Sequence, residues 1–424
     1  MKYFSEVILR RKPFSRYKRF DRWGYRKSLR LAYEITPLNV IHINSTAEGG
    51  GVAELLNNQI PLEKDLSIKS RWLVLRQPAQ FFAITKKIHN LLQGNKESLT
   101  GQEKKFYLKS LLLAREELSN FLKKLPKPVI LVLHDAQTLP LAEFLPADVF
   151  AVSRMHIDLS RPNAGTLNFL KPYFEKVRAV ILSHPSFRPL WLSKNKTVIS
   201  YPAIDPFSEK NITINRSEII KRLTDFGLDT KRPIITQVSR FDKWKDPRGV
   251  AEAYRLAKKI TPGLQLVLEG SLAVADDPEA MGLYLRLKNT YGRDPDIFLN
   301  GPAGPKAKKY GERWINILQR GSNIVIQKSL KEGFGLTVAE ALWKNKAVIG
   351  GGTFGIKAQI KNGKSGFVVN SPEECASRIV QLLNQPKLAD RLGQQGHDLV
   401  KKYFLFSHLI LDFLGVYKNL LLKG

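Results

Sequence analysis

Apolar residues fall along this chain in short runs, each followed by a longer stretch in which apolar positions recur at helical spacing. NVIHINS (39–45) reads as a strand, GGVAELLNNQIPLEKDL (50–66) as a turn entering a helix, and SRWLVL (70–75) as the next strand. PVILVLHD (128–135), VFAVSRMHID (149–158), AVILSH (179–184) and TVISYPAID (197–205) continue as strands that end in polar residues. A second series runs through RPIITQVSRFD (232–242), LQLVLEG (264–270), DIFLNG (296–301), NIVIQKS (323–329), KAVIGG (346–351) and GFVVN (366–370). Strands alternating with helices predict an α/β chain with parallel sheets. The polar residues gather at the strands' carboxyl ends, where open α/β sheets bind ligands.

The stretch between the two series is polar and rich in turn residues, so a domain boundary is expected near Asp205. The expected organisation is a basic N-terminal arm (1–37), a first Rossmann-like domain (38–205), a second one (206–405), and a C-terminal helix (406–424) packing back towards the first. Two such domains facing each other would place the active site in the cleft between them.

Composition narrows the class. A chain of 424 residues with 43% hydrophobic and 25% charged residues suits a soluble, two-domain globular protein. The single cysteine, Cys375, excludes an internal disulfide framework and points to a reducing compartment. The first residues carry charge from the start, so secretion is not expected and the cytoplasm is. The most apolar stretch, YFLFSHLILDFLGVYKNLLL (403–422), contains His408, Asp412 and Lys418, and reads as a packed helix rather than a membrane span.

The net charge of +30 attracts polyanions. Basic and aromatic residues interleave over Arg10–Arg30, either as a solvated arm packed loosely on the first domain or as a peripheral contact with anionic membranes. Nucleic acid is not expected as a partner, because no zinc spacing, RNA-binding signature or helix-turn-helix pattern accompanies the charge. A homodimer stays open.

Several familiar motifs fail. NGKSG (362–366) lacks the leading glycine of a phosphate loop, since position 358 is Ala358. GGGTFG (350–355) satisfies the dinucleotide fingerprint formally but leaves too little chain for a crossover helix before the next strand. The histidines form no metal-ligand spacing and no nucleophile elbow exists, so neither a metal nor an obligatory cofactor is expected.

What remains are groups suited to phosphates and hydroxyls. Gly50 and Gly51 lie between a strand and a helix, where backbone N–H groups can approach an anion. Arg240 and Lys245 follow a strand and could neutralise a diphosphate. The turn Gly333-Phe334-Gly335 before Leu336 opens another helix, with Glu332 ahead of it and Glu340 inside it. The glutamates read either as solvated residues of an amphipathic helix or as acceptors for the hydroxyls of two rings joined by a diphosphate, which describes a nucleotide sugar.

EGFGLTVAE, with Arg240 and Lys245 upstream, resembles the retaining nucleotide-sugar glycosyltransferases of family 4, whose fold is the GT-B type. More narrowly, HINSTAEGGGVAELLNNQIPL, FFAITKKIHNLLQG, MHIDLSRPN, AIDPFSEKN, ITQVSRFDKWKD and EGFGLTVAEALWK resemble the trehalose glycosyltransferring synthases, over residues 40–410. The resemblance implies glucose transfer from a nucleoside diphosphate glucose to glucose, reversible in some members. It implies that Glu332 contacts the donor sugar, that Glu340 holds the ribose, and that Arg240, Lys245 and the Gly333–Leu336 backbone bind the diphosphate. Gly50 and Gly51 match the loop that closes over the phosphates, and His156 matches a histidine near the donor sugar. Asp158, His134 and Asp135 are expected on the acceptor side. The chain departs from the family pattern at Asp246, where a glycine usually follows the lysine. A related transferase using another sugar or a lipid-linked acceptor, and a binding protein without catalysis, are the competing readings.

Overall fold

The computed structural model describes residues 2–270, 278–301 and 305–423. They form two compact units, Met1–Ala203 with Phe406–Gly424, and Ile204–Leu405.

In the first unit the described strands are β1 (Phe4–Val7), β2 (Asn39–Asn44), β3 (Lys69–Leu75), β4 (Val129–His134), β5 (Val149–Arg154), β6 (Ala179–Leu182) and β7 (Thr197–Ile199). They form one sheet in the order β1-β3-β2-β4-β5-β6-β7. Every pairing is parallel except that of β1 with β3. β2 and β4 are buried along their whole length, which is why both appear in the sequence as continuous apolar runs. The winding reverses between them, because β3 lies on one side of β2 and β4 on the other. Such a reversal opens a crevice at the strands' carboxyl ends.

The segment expected as a loosely packed basic arm is built into this unit. Phe4 is buried and pairs with Leu75 at the sheet edge. The Glu117 carboxylate accepts from the backbone N–H groups of Tyr3 (3.1 Å) and Phe4 (3.2 Å). The helix Arg22–Ile35 is capped by Asp21, whose Oδ1 accepts from Gly24 N at 2.8 Å. Its buried residues Gly24, Ser28, Ala32 and Ile35 form one stripe, and the small size of the first three lets the C-terminal helix Phe406–Lys423 pack closely against it. The C-terminal helix buries Phe406, Ile410, Phe413 and Tyr417. Among the described residues, no helix is long and apolar enough to cross a membrane.

In the second unit β8 (Ile234–Val238), β9 (Gln265–Glu269), β10 (Ile297–Asn300), β11 (Ile324–Gln327), β12 (Ala347–Gly351) and β13 (Phe367–Val369) form a parallel sheet in the order β10-β9-β8-β11-β12-β13. This is the doubly wound order 3-2-1-4-5-6 of a dinucleotide-binding sheet, with its reversal between β8 and β11. One apolar cluster includes Ile235, Tyr254, Leu266, Ile349 and Ile379, and another includes Val267, Trp314 and Leu318.

Candidate active site

In the second unit the residues singled out in the sequence lie on the two loops that leave β8 and β11, the strands flanking the reversal, and on the helix that follows the second loop. β8 runs into a short turn at Lys243–Lys245, and Gln237 Nε2 fixes that turn by donating to the Lys245 carbonyl at 2.7 Å. Lys245 Nζ pairs with the Glu332 carboxylate on the loop after β11. Ser329 Oγ also donates to Glu332, at 3.3 Å. Arg240 stands half exposed, with Asp242 Oδ2 at 3.4 Å.

Asp246 explains its own departure from the family pattern. Its φ is +50°, a left-handed conformation that favours glycine and that aspartate tolerates better than most residues. The side chain caps the helix Pro247–Lys258 by accepting from Gly249 N at 3.0 Å, and it pairs with the buried Lys328.

The Gly333-Phe334-Gly335 turn leads into the helix Leu336–Trp343. Gly335 has φ +87° and no side chain caps the helix, so its first N–H groups stay available to an anion. Phe334 is buried against Phe404, with ring centroids 5.2 Å apart. The later glycines belong to this wall rather than to a dinucleotide loop. A Cβ at Gly351 would lie 2.2 Å from the Ser329 carbonyl oxygen, and one at Gly355 would lie 2.7 Å from the Gly333 backbone.

Glu340 is 1% exposed, and among the described residues neither carboxylate oxygen receives a hydrogen bond. Lys210 Nζ lies 3.7 Å from Oε1, close enough for attraction but not for a hydrogen bond. A buried carboxylate without donors costs several kcal/mol unless something completes it. The arrangement therefore offers two strong acceptors to a ligand carrying O–H donors.

The first unit repeats the logic at β2, β4 and β5. Gly50, with φ +106°, ends the loop after β2 and opens the helix Gly51–Asp65 without a side-chain cap. A Cβ at Gly50 would meet nothing, so the position requires glycine for its backbone conformation rather than for space. At the end of β4 and just beyond β5 stand His134 and His156, their rings stacked 5.1 Å apart and linked by a 2.8 Å contact between His134 Nδ1 and His156 Nε2. His134 Nε2 also lies 3.1 Å from His42 Nδ1, and His134 is buried. Both its ring nitrogens therefore face neighbouring histidines, one of them His156.

Asp135, also expected on the acceptor side, is buried with φ +58° and holds His156 by accepting from its backbone N–H at 2.7 Å. Burial pushes its carboxyl up to about 7, against the opposing pull of that N–H and of Arg154. Burial and the neighbouring Arg154 hold His156 well below the ordinary histidine range. Burial, His156, His42 and Arg154 do the same to His134. Asp158 is buried and accepts from Ser160 N at 2.8 Å.

His42, Glu63, Lys210 and Lys328 are the participants that motif reading missed. His42 and Lys210 lay inside the quoted runs NVIHINS and AIDPFSEKN, and a histidine in an otherwise apolar buried strand was the available signal. Among the described residues, no group of three or more His, Cys, Asp or Glu side chains is placed to hold a metal ion.

Comparison with known proteins adds a second line. Residues 42–189 match the model for the N-terminal domain of trehalose synthase, and residues 221–398 match that for group 1 glycosyl transferases. The chain is 39% identical over 382 residues to trehalose synthase from Pyrococcus horikoshii, covering 90% of this chain and 89% of that one. Sucrose-phosphate synthase from Thermosynechococcus elongatus superposes with a TM-score of 0.70 at 16% identity, over 91% of this chain and 100% of that one. Anabaena HepE, solved in complex with UDP and glucose, superposes with a TM-score of 0.61 at 15% identity, over 90% and 98% of the two chains.

Proposed function

The chain belongs to the trehalose synthase family of GT-B glycosyltransferases, and from that premise we propose that it transfers glucose from a nucleoside diphosphate glucose to free glucose, forming trehalose with retention at the donor's anomeric carbon. Glu340 carries the donor half of this reading. Its two unmet acceptors suit the vicinal hydroxyls of a ribose, each of which brings one O–H donor.

The remaining roles follow from position. Lys245, Arg240 and the helix N-terminus at Gly335–Leu336 draw charge from the departing diphosphate, and this help grows as the leaving oxygens become more negative. Glu332, oriented by Lys245 and Ser329, accepts from a hydroxyl of the donor glucose. Gly50 and Gly51 offer backbone N–H groups to the phosphates, and His156 faces the transferred sugar, with Asp158 nearby on the acceptor side. The anomeric carbon passes through an oxocarbenium-like state, and the leaving phosphate takes the acceptor's proton. This path needs no metal and no protein nucleophile.

Incubation with UDP-, ADP- and GDP-glucose plus glucose tests the reading. The expected product is a non-reducing disaccharide whose two equivalent anomeric positions give a single α-anomeric signal by NMR. Glycosylation of a lipid or other acceptor, with no disaccharide from any of the three donors, sinks it.

One surface supports a further contact. Trp23 and Tyr33 are 66% and 86% exposed on the helix Arg22–Ile35, whose exposed side also carries Arg22, Arg26, Lys27 and Arg30. Such a face suits peripheral attachment to an anionic membrane, a cytoplasmic one given the single buried cysteine, Cys375. Co-sedimentation with anionic vesicles that weakens as salt rises is the expected result; no binding at low salt contradicts it.

A further inference from the structure

Behind His156 runs a chain of buried groups that the transfer reaction does not itself require. His156 Nε2 meets His134 Nδ1 at 2.8 Å, His134 Nε2 meets His42 Nδ1 at 3.1 Å, and His42 Nε2 meets Glu63 Oε2 at 3.2 Å. Glu63 is 0% exposed and accepts three more hydrogen bonds: from Ser70 Oγ (2.6 Å), Gln59 Nε2 (2.8 Å) and Tyr417 OH (2.9 Å). Four donors occupy the acceptor sites of a carboxylate. Burial alone would raise this carboxyl, but the hydrogen bonds from His42, Ser70 and Gln59 hold it below the ordinary glutamate value.

A neutral imidazole has one N–H and one lone pair, so a ring bonded through both nitrogens transmits direction. Glu63, an acceptor only, must receive the His42 Nε2–H. With one proton per ring, His42 Nδ1 then accepts from His134 Nε2–H, and His134 Nδ1 accepts from His156 Nε2–H. The last ring is left with a bare Nδ1. We propose that Glu63, acting through His42 and His134, is a positioning residue that fixes the tautomer of His156, so that His156 presents a lone pair to a hydroxyl of the transferred sugar. One extra proton on His42 would reverse every link and turn His156 Nδ1 into a donor. The charged and titratable groups facing the chain are Arg154, Asp135 and, from the C-terminal helix, Tyr417; Asp412 acts on it through Arg154.

The tautomer coupling stands on geometry alone, whereas the role given to the lone pair rests on the proposed function. Nitrogen NMR of the 15N-histidine-labelled chain at pH 8, without ligand, separates the two. The wild type is expected to show His42, His134 and His156 all protonated at Nε2 and bare at Nδ1. In Glu63→Gln, whose amide can donate as well as accept, His156 is expected to become a tautomer mixture, and kcat to fall about tenfold with KM nearly unchanged. Ser70→Ala also weakens the surroundings of Glu63, but it is expected to leave the His156 signal as in the wild type. Mixed tautomers in the wild type overturn the inference, which keeps it testable even if Glu63→Gln fails to fold. An unchanged His156 signal with unchanged kcat in folded Glu63→Gln overturns it as well. Addition of a nucleoside diphosphate glucose is expected to shift His156 Nδ1. Intact coupling with no such shift contradicts the role of His156 in the proposed function instead.

Discussion

Two buried glutamates, one in each unit, have opposite surroundings. Among the described residues, Glu63 is 0% exposed and receives four hydrogen bonds, whereas Glu340 is 1% exposed and receives none. The first is completed by the fold and points its effect along a row of histidines. The second is left incomplete by the fold, with Lys210 near enough to offset part of its charge. Burial of a carboxylate is thus no guide to its role until its donors are counted: a satisfied one orders its neighbours, and an unsatisfied one has acceptors to offer.

Substitution should separate the two most sharply. Glu340→Ala is expected to lower kcat/KM for trehalose formation by about 10²–10³-fold, the loss of two hydrogen bonds to a charged acceptor, while the melting temperature holds or rises because an uncompensated buried group is gone. A fall in stability with activity retained would reverse the assignment. Glu63→Ala should do the opposite in the first instance, destabilising the chain by about 3 kcal/mol or more, since it strands the donors of His42, Ser70, Gln59 and Tyr417. Denaturant unfolding measures this, and an unchanged midpoint would mean that the four contacts carry no weight.

Asp246→Ala tests a smaller piece of the second unit. It removes a helix cap, puts alanine at φ +50° and deprives buried Lys328 of its partner, for an expected loss of about 2 kcal/mol. Asp246→Gly should lose less, because glycine accepts the backbone conformation.

The smallest expected effect is a pH slope. Asp135 titrates at about 7 in the fold, against an ordinary 3.8. Between those values the folded chain holds a proton that the unfolded chain has released, so its contribution is full below about 4 and is lost as pH rises through 7. Relative to Asp135→Asn, the wild type should therefore lose stability from pH 4 to 7. Parallel profiles for the two proteins would place Asp135 in a more solvated site.

The parts legible in the sequence are those encoded locally. Buried parallel strands appear as apolar runs, and polar residues at their ends mark the rims of the two sheets, so Arg240, Lys245, Glu332 and Glu340 can be grouped from the sequence. β1 was hidden because Phe4–Val7 is short and lies in a charged segment, where Phe4 and Val7 show too little pattern to declare a strand. The glycines at 350–355 gave a signal of the right kind for the wrong reason, since they serve close packing against the loop after β11. The histidine row left no spacing to read. His42 and His134 are 92 residues apart and meet because β2 and β4 are neighbours, a pairing fixed by sheet topology.

The most direct test of the donor site is the affinity of nucleoside diphosphates with and without their ribose hydroxyls. Calorimetry should compare UDP and ADP with their 2′,3′-dideoxy forms, on the wild type and on Glu340→Ala. The account predicts that removing the hydroxyls weakens wild-type binding of the accepted nucleotide by about tenfold or more, and that Glu340→Ala binds both forms equally weakly. Discrimination that survives intact in Glu340→Ala would show that the ribose is held elsewhere and would contradict the account.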